Sequence, residues 1–148
     1  MESPSVTPAT PADLPRSAEL LVGPEASAEA VATVLRGLRH ALEHPECGGV
    51  WVLRQGEGIL GLFSLFETVS TAEGGPVALL QDLVVAPDRR GRGYGKLLLN
   101  QSLGIARARG WLRITLVADS LSPEARRFFQ KQGAADSGML PLRLAFGV

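Results

Sequence analysis

Leu83-Val84-Val85-Ala86-Pro87-Asp88-Arg89-Arg90-Gly91-Arg92-Gly93-Tyr94-Gly95-Lys96-Leu97-Leu98 decides how this 148-residue chain is read. The apolar run from Val77 to Val85, with the polar pair Gln81-Asp82 inside it, stops at Ala86-Pro87. Four cations and three glycines follow within eight residues, Arg89 to Lys96. Tyr94, Leu97, Leu98 and Ile105 then fall on one helical stripe, which Gly110 ends. A strand therefore passes through a glycine- and arginine-rich loop into a helix. The first turn of a helix leaves N–H groups unpaired and carries partial positive charge. Glycines just before it let a phosphate reach the backbone with no Cβ in the way. With the added arginines and lysine, the segment reads as a pyrophosphate cradle.

Two widespread cradles do not fit it. The Walker loop G-x-x-x-x-G-K-[ST], counted back from Gly95-Lys96, puts Arg90 in place of the first glycine and Leu97 in place of the metal-holding hydroxyl. The dinucleotide fingerprint G-x-G-x-x-G fails as well, because Gly91-x-Gly93 leads to Lys96 and Gly93-x-Gly95 leads to Leu98. The pattern that fits is Arg/Gln-x-x-Gly-x-Gly, as Arg90-Gly91-Arg92-Gly93-Tyr94-Gly95.

Outward from this segment, the Pro-, Ser- and Thr-rich residues 1–12 read as a tail that holds a short edge strand at Ser5-Val6-Thr7. A short helix is expected from Ala12 to Leu21, ended by Gly23-Pro24. Ser27 caps a second helix with Val31, Val34, Leu35, Leu38 and Leu42 on one face, closed by His44-Pro45. Val50 to Leu53 and Ile59 to Phe66 are strands around a hairpin loop, and a turn at Glu73-Gly74-Gly75-Pro76 leads to the third strand, Val77 to Val85. These three make an antiparallel meander. Beyond the cradle helix, Trp111 to Val117 is a further strand, which the crossover makes parallel to Val77–Val85. Ser122-Pro123-Glu124-Ala125 opens a last helix with Phe128 and Phe129 facing inward and Gly133 at its end. Met139 to Phe146 reads as the last strand. There is no internal repeat and no second core, so residues 1–148 are expected to form one α/β domain.

Composition agrees with an ordinary globular chain: 45% hydrophobic, 20% charged, no formal net charge. No apolar run approaches the roughly 20 residues of a membrane span. The start, Met1-Glu2-Ser3-Pro4, lacks the basic and apolar regions of a signal peptide, so a cytoplasmic location is expected. The single cysteine, Cys47, excludes an internal disulfide and reads as a small buried residue. His40 and His44 lie four apart with no third ligand evident, so no metal is expected. The charge is unevenly spread: residues 1–85 carry four basic and eleven acidic side chains, residues 86–113 seven basic and one acidic. That cationic island fits a solvated helix face, a nucleic acid or a small anionic ligand. Overall neutrality and 5% aromatic residues disfavour nucleic acid, and the glycines favour the small anion.

On these residues the chain resembles the GNAT superfamily of N-acetyltransferases. Beside the loop, Leu83-Val84-Val85-Ala86-Pro87 is similar to that family's fourth strand. Glu124-Ala125-Arg126-Arg127-Phe128-Phe129-Gln130-Lys131-Gln132-Gly133-Ala134 is similar to its last helix, and Val6 to Leu14 to its opening strand and turn. The resemblance implies a mixed, mostly antiparallel central sheet of six to seven strands flanked by about four helices. It implies acetyl-CoA as cosubstrate, with no metal. Leu83, Val84 and Val85 would pair with the pantetheine arm, Arg90, Gly91, Arg92, Gly93, Tyr94, Gly95 and Lys96 would hold the pyrophosphate, and Ser122 and Phe129 would also line the cofactor site. An amide of the fourth strand, that of Val85, would polarise the thioester carbonyl. The implied reaction is direct acetyl transfer to a primary amine, carried by a small molecule or by a protein lysine or N-terminus. The chain would act as a homodimer.

Three positions depart from the family pattern. Its tyrosine, which protonates the leaving thiolate, is Phe129 here; its asparagine before the last helix is Ser122; and the Glu-Asp of the polyamine-acetylating branch is Gln81-Asp82. Asp82 and Glu67 are the candidate bases, with Ser122 as a polar substitute near the thiolate. Gln81-Asp82 and Gly133-Ala134 lean towards the small-amine branch. The missing tyrosine also admits a catalytically weak acyl-CoA-binding or sensing module. A nucleic-acid-binding domain using the 86–113 island would instead show strongly salt-dependent binding.

Overall fold

The computed structural model of the chain describes residues 2–116 and 123–147. They belong to two units, Met1–Ala118 and Asp119–Val148. In the first, five strands form one sheet in chain order: β1 (Ser5–Pro8), β2 (Gly48–Gln55), β3 (Gly58–Ser70), β4 (Gly75–Val85) and β5 (Ile114–Leu116). Neighbours are antiparallel up to β4, and β5 runs parallel to β4, as a helical crossover requires.

Helices cover both faces. A 3-10 turn (Pro11–Asp13) leads into α1 (Leu14–Val22), so the regular helix starts two residues later than its sequence suggested. In α2 (Ala28–Glu43) the Ser27 side chain accepts the Ala30 N–H at 3.1 Å, an N-cap. Leu14, Ala18, Leu38 and Ala41 of this pair pack on Val50, Val52 and Leu62. Each buried leucine or valine among them contributes about 1.5–3 kcal/mol, and each alanine less. On the other face lies α3 (Tyr94–Ala108), with Leu98 so close over Gly61 that a Cβ there would lie 3.1 Å from Leu98 Cδ1.

A buried carboxylate ties the entry of α1 to the sheet. Asp13 Oδ2 accepts the Thr10 N–H at 2.8 Å, the Thr10 hydroxyl at 3.0 Å and the Arg54 guanidinium at 2.7 Å. Burial pushes the Asp13 pKa up, but the Arg54 and Thr10 hydrogen bonds outweigh it and hold the group below the ordinary carboxylate value. A depressed folded-state pKa means that the pair stabilises the fold above the unfolded-state value. That stability is lost as pH falls through the folded-state value.

The decisive irregularity is in β4. Ser64 pairs with Asp82, but Leu65 pairs with Leu80, so Gln81 is an extra residue, a β-bulge. Leu80 and Asp82 would share a face in a regular strand; the bulge puts them on opposite faces. Among the described residues Leu80 is also the last β4 residue bridged to β5, through Leu116.

The second unit contains α4 (Pro123–Lys131). Phe129 is buried there and meets Phe128 edge-on at 5.1 Å. The Ala134 N–H donates to the Phe129 carbonyl at 3.0 Å and Gly133 has φ 101°, which ends the helix as expected.

Two expectations are corrected. The sheet has five strands among the described residues, not six to seven, and the run from Met139 to Phe146 is not a strand. Pro141 has no N–H to give a ladder, and Gly138 turns the chain at φ 77° just before. Leu140, Leu142, Leu144 and Phe146 are each at least 90% exposed. The strand expected from Trp111 begins only at Ile114, because the Trp111 N–H instead donates to Ala106 at the end of α3. Val117 lies outside the described residues.

Candidate functional site

Among the described residues the bulge makes a fork, since no bridge to β5 is described past it. Beyond Leu80, β4 stays paired with β3 as far as Val85, while its other edge has no strand beside it among the described residues. The Ala86 N–H donates to Leu60 on β3 at 2.7 Å. By alternation Val84 also turns its backbone groups to β3, and those of Leu83 and Val85 face the opposite edge. The Arg90 Nε–H donates to the Val85 carbonyl at 3.2 Å, so the loop reaches back to that edge.

From the fork the chain passes a 3-10 turn (Pro87–Arg89) and enters α3. Gly91 has φ 78° and Gly93 φ 83°, conformations that a side chain disfavours. A Cβ on either would meet no atom within 4 Å, so the space in front of the loop is open. The Leu97 N–H is the first to bond within α3, to the Gly93 carbonyl at 3.1 Å. The amides of Tyr94, Gly95 and Lys96 thus remain available at the positive end of the helix. No side chain caps that end, and the first turn holds no acid. Arg92 and Lys96 make no ion pair among the described residues. An open, positively charged helix start therefore adjoins a strand edge with no partner among the described residues, a geometry that would suit a long ligand with an anionic end and an amide-bearing arm.

The two candidate bases are not brought together. Asp82 lies on the α1–α2 face, where its Oδ2 accepts the Ser64 hydroxyl at 2.6 Å. Glu67 is three residues from Ser64 along β3 and so lies on the opposite face, where its Oε1 accepts the Trp111 indole N–H at 2.7 Å. Arg109 stands over the rings of Trp51 and Trp111 at 5.6 and 5.3 Å, which makes the Glu67 side a packed structural cap. Ser122 lies outside the described residues. Phe129 sits on α4 of the second unit, 8% exposed.

Ser64 was not singled out by its sequence. The available signal was a lone hydroxyl in the apolar run Ile59 to Phe66. Cys47 is corrected: it is exposed, closing a 3-10 turn (Pro45–Cys47), and the buried place behind it belongs to Gly48. Any Cβ at Gly48 would run into the Leu65 carbonyl. The His40 and His44 rings stack at 4.2 Å, with His44 Nδ1 hydrogen-bonded to the His40 carbonyl at 2.9 Å. Among the described residues no group of three or more His, Cys, Asp or Glu side chains is placed to hold a metal, and no helix is long and apolar enough to cross a membrane.

A family model described as "Acetyltransferase (GNAT) family" matches residues 16–134. No curated protein matches the chain. Among solved structures, a transcriptional regulator from Bacillus halodurans is similar at TM-score 0.82 and 21% identity, over 97% of this chain and 100% of that one. A ribosomal-protein-alanine N-acetyltransferase from Brucella melitensis biovar Abortus is similar at TM-score 0.76 and 17% identity, over 97% and 100%. A predicted acetyltransferase from Clostridium acetobutylicum, solved with acetyl-CoA, is similar at TM-score 0.75 and 19% identity, over 95% and 96%. At these identities the likeness is one of fold.

Proposed function

The chain belongs to the acetyltransferase (GNAT) family and is by that membership an N-acetyltransferase, and from this premise we propose how its own residues carry the reaction. Acetyl-CoA, the cosubstrate of that family, supplies an acetyl group already activated as a thioester. The α3 N-terminus, with Arg90, Gly91, Arg92, Gly93, Tyr94, Gly95 and Lys96, holds the pyrophosphate. Leu83 and Val85 pair along the arm as an added strand would, while Val84 keeps β4 on β3. The Val85 amide donates to the carbonyl oxygen as negative charge develops there. Asp82 takes a proton from the acceptor ammonium, directly or through one water, and the neutral amine attacks the carbonyl carbon. The C–N bond forms, the C–S bond breaks, the nitrogen loses its second proton and the thiolate takes one up. Ser122 or water supplies that last proton in place of the family's tyrosine.

The observation that carries this reading is the junction of an uncapped, acid-free helix start with a strand edge that has no partner among the described residues, inside the span matched by the family model. That span crosses from the first unit into the second, which supports one acetyltransferase domain over residues 1–148. The acceptor is a primary amine. The excess of acids in residues 1–85 favours a cationic one, and Gln81-Asp82 leans towards small amines of the polyamine kind. Thiol release from acetyl-CoA, measured across small amines, polyamines and lysine- or N-terminus-bearing peptides, tests the reading. Turnover with none of them would overturn it.

The cradle has its own test. Arg90→Ala should weaken CoA binding by about 1–3 kcal/mol, as for one charge-assisted hydrogen bond. Calorimetric titration showing wild-type affinity would remove this assignment. The chain is also proposed to work as a homodimer, because the exposed side chains of Leu140, Leu142, Leu144 and Phe146 form an apolar row of the kind that marks an interface. Sedimentation at high micromolar concentration should show the dimer, and a clean monomer would sink it.

A further inference from the structure

We propose that Ser64 is a positioning residue for acetyl transfer, holding the Asp82 carboxylate in the orientation in which it receives the proton; this rests on the reading of Asp82 as the base. Ser64 is 0% exposed, and from Ile59 to Phe66 its hydroxyl is the only polar side-chain group. A buried hydroxyl needs a partner. This one gives its single proton to Asp82 Oδ2 at 2.6 Å, in the range of a charge-assisted O–H···O⁻ bond.

Where that bond sits argues for more than satisfaction of a buried group. Asp82 directly follows the extra residue Gln81 and is the first β4 residue beyond the register shift. It is also past the last bridge to β5 among the described residues, at Leu80. A strand at a bulge is less constrained than one in a regular ladder, and a half-buried carboxylate on it has two free torsions. The Ser64 hydroxyl selects one arrangement from these. It occupies Oδ2 only. Among the described residues no side chain or amide donates to Oδ1, which is the oxygen we assign to the acceptor amine. The supporting donor comes from β3, which is paired along both edges, to β2 and to β4. A proton acceptor is best supported in this way, by a rigid neighbour.

The test uses the full chain as wild type, Ser64→Ala, Ser64→Thr, Asp82→Asn and the double variant Ser64→Ala/Asp82→Asn. It reads kcat and KM for the best amine of the panel, CoA affinity and melting temperature. Ser64→Ala should lower kcat about tenfold with CoA affinity unchanged, the size expected when a reacting group loses its orientation but not its chemistry. Ser64→Thr keeps the hydroxyl and should recover most of the loss. In the Asp82→Asn background, Ser64→Ala should cost nothing further in kcat, because its effect passes through the carboxylate. An equal loss in both backgrounds would show a merely structural role and overturn the proposal. So would wild-type kcat in a folded Ser64→Ala while Asp82→Asn is impaired, and the base assignment would then stand alone. Wild-type kcat in Asp82→Asn overturns both.

Discussion

Asp82→Asn should lower kcat at neutral pH by about 10²- to 10⁴-fold, the range for loss of one positioned base. The substitution is nearly isosteric, and its amide oxygen can still accept the Ser64 hydroxyl that now reaches Oδ2 at 2.6 Å. Packing on the α1–α2 face is kept, so melting temperature and CoA affinity should stay close to wild type. Only the capacity to take up a proton is gone. The loss should therefore shrink as pH rises towards the pKa of the acceptor, about 10 for a lysine-like amine, because a neutral amine needs no base. A pH–rate profile checks this: the variant climbs steeply towards the wild type on the alkaline side. Glu67→Gln is the control. Glu67 lies on the other face with its Oε1 bound to the Trp111 indole, so its change should alter stability rather than turnover. A variant pair with the opposite pattern would move the base to Glu67.

The sites that sequence reading reached are those set by local chemistry. The glycine turn and the start of α3 were legible because Gly91 and Gly93 take positive φ and because cations gather at that helix start. The meander was legible because Val50, Val52 and Leu62 alternate with residues of the other face, and the Ser27 cap and the parallel β5 followed from turn chemistry and crossover geometry. Register was not legible. Gln81-Asp82 reads as two polar residues in an apolar strand whether or not Gln81 bulges, yet the bulge alone decides that Asp82 meets Ser64 and not the face of Leu65. The opposite facing of Asp82 and Glu67 follows from the same one-residue shift. The last strand failed for a related reason. Leu140, Leu142, Leu144 and Phe146 carry the period of a strand, but a strand also needs a neighbour to exchange hydrogen bonds with, and Pro141 removes one donor. Periodicity states which face is apolar, not whether a partner exists. Cys47 went astray because the buried position at the mouth of β2 admits no side chain at all and went to Gly48.

Phe129→Tyr should raise kcat by up to about 10²-fold with little change in CoA affinity. The family to which the chain belongs places a tyrosine there to protonate the departing thiolate, and Tyr94, in the cradle, is the chain's only tyrosine. A thiol of pKa near 8–9 is a tolerable leaving group, so acetyl transfer without a phenol is chemically feasible. One positioned acid is worth the stated gain. The ring keeps its place in the variant: Phe129 is 8% exposed, lies edge-on to Phe128, and its carbonyl anchors the end of α4 through the Ala134 amide. The new hydroxyl extends one atom beyond the ring. If it points into a dry region without a partner, burial of the unpaired group costs about 1–3 kcal/mol and the melting temperature falls. The three measurements separate the outcomes. A rise in kcat at constant melting temperature assigns the slow step to departure of the thiolate. A fall in melting temperature shows that position 129 is packed too tightly to admit an acid. Unchanged turnover in a well-folded variant that still binds CoA means that protonation of the thiolate does not limit this enzyme, and the substitution of the family's tyrosine by Phe129 has another cause.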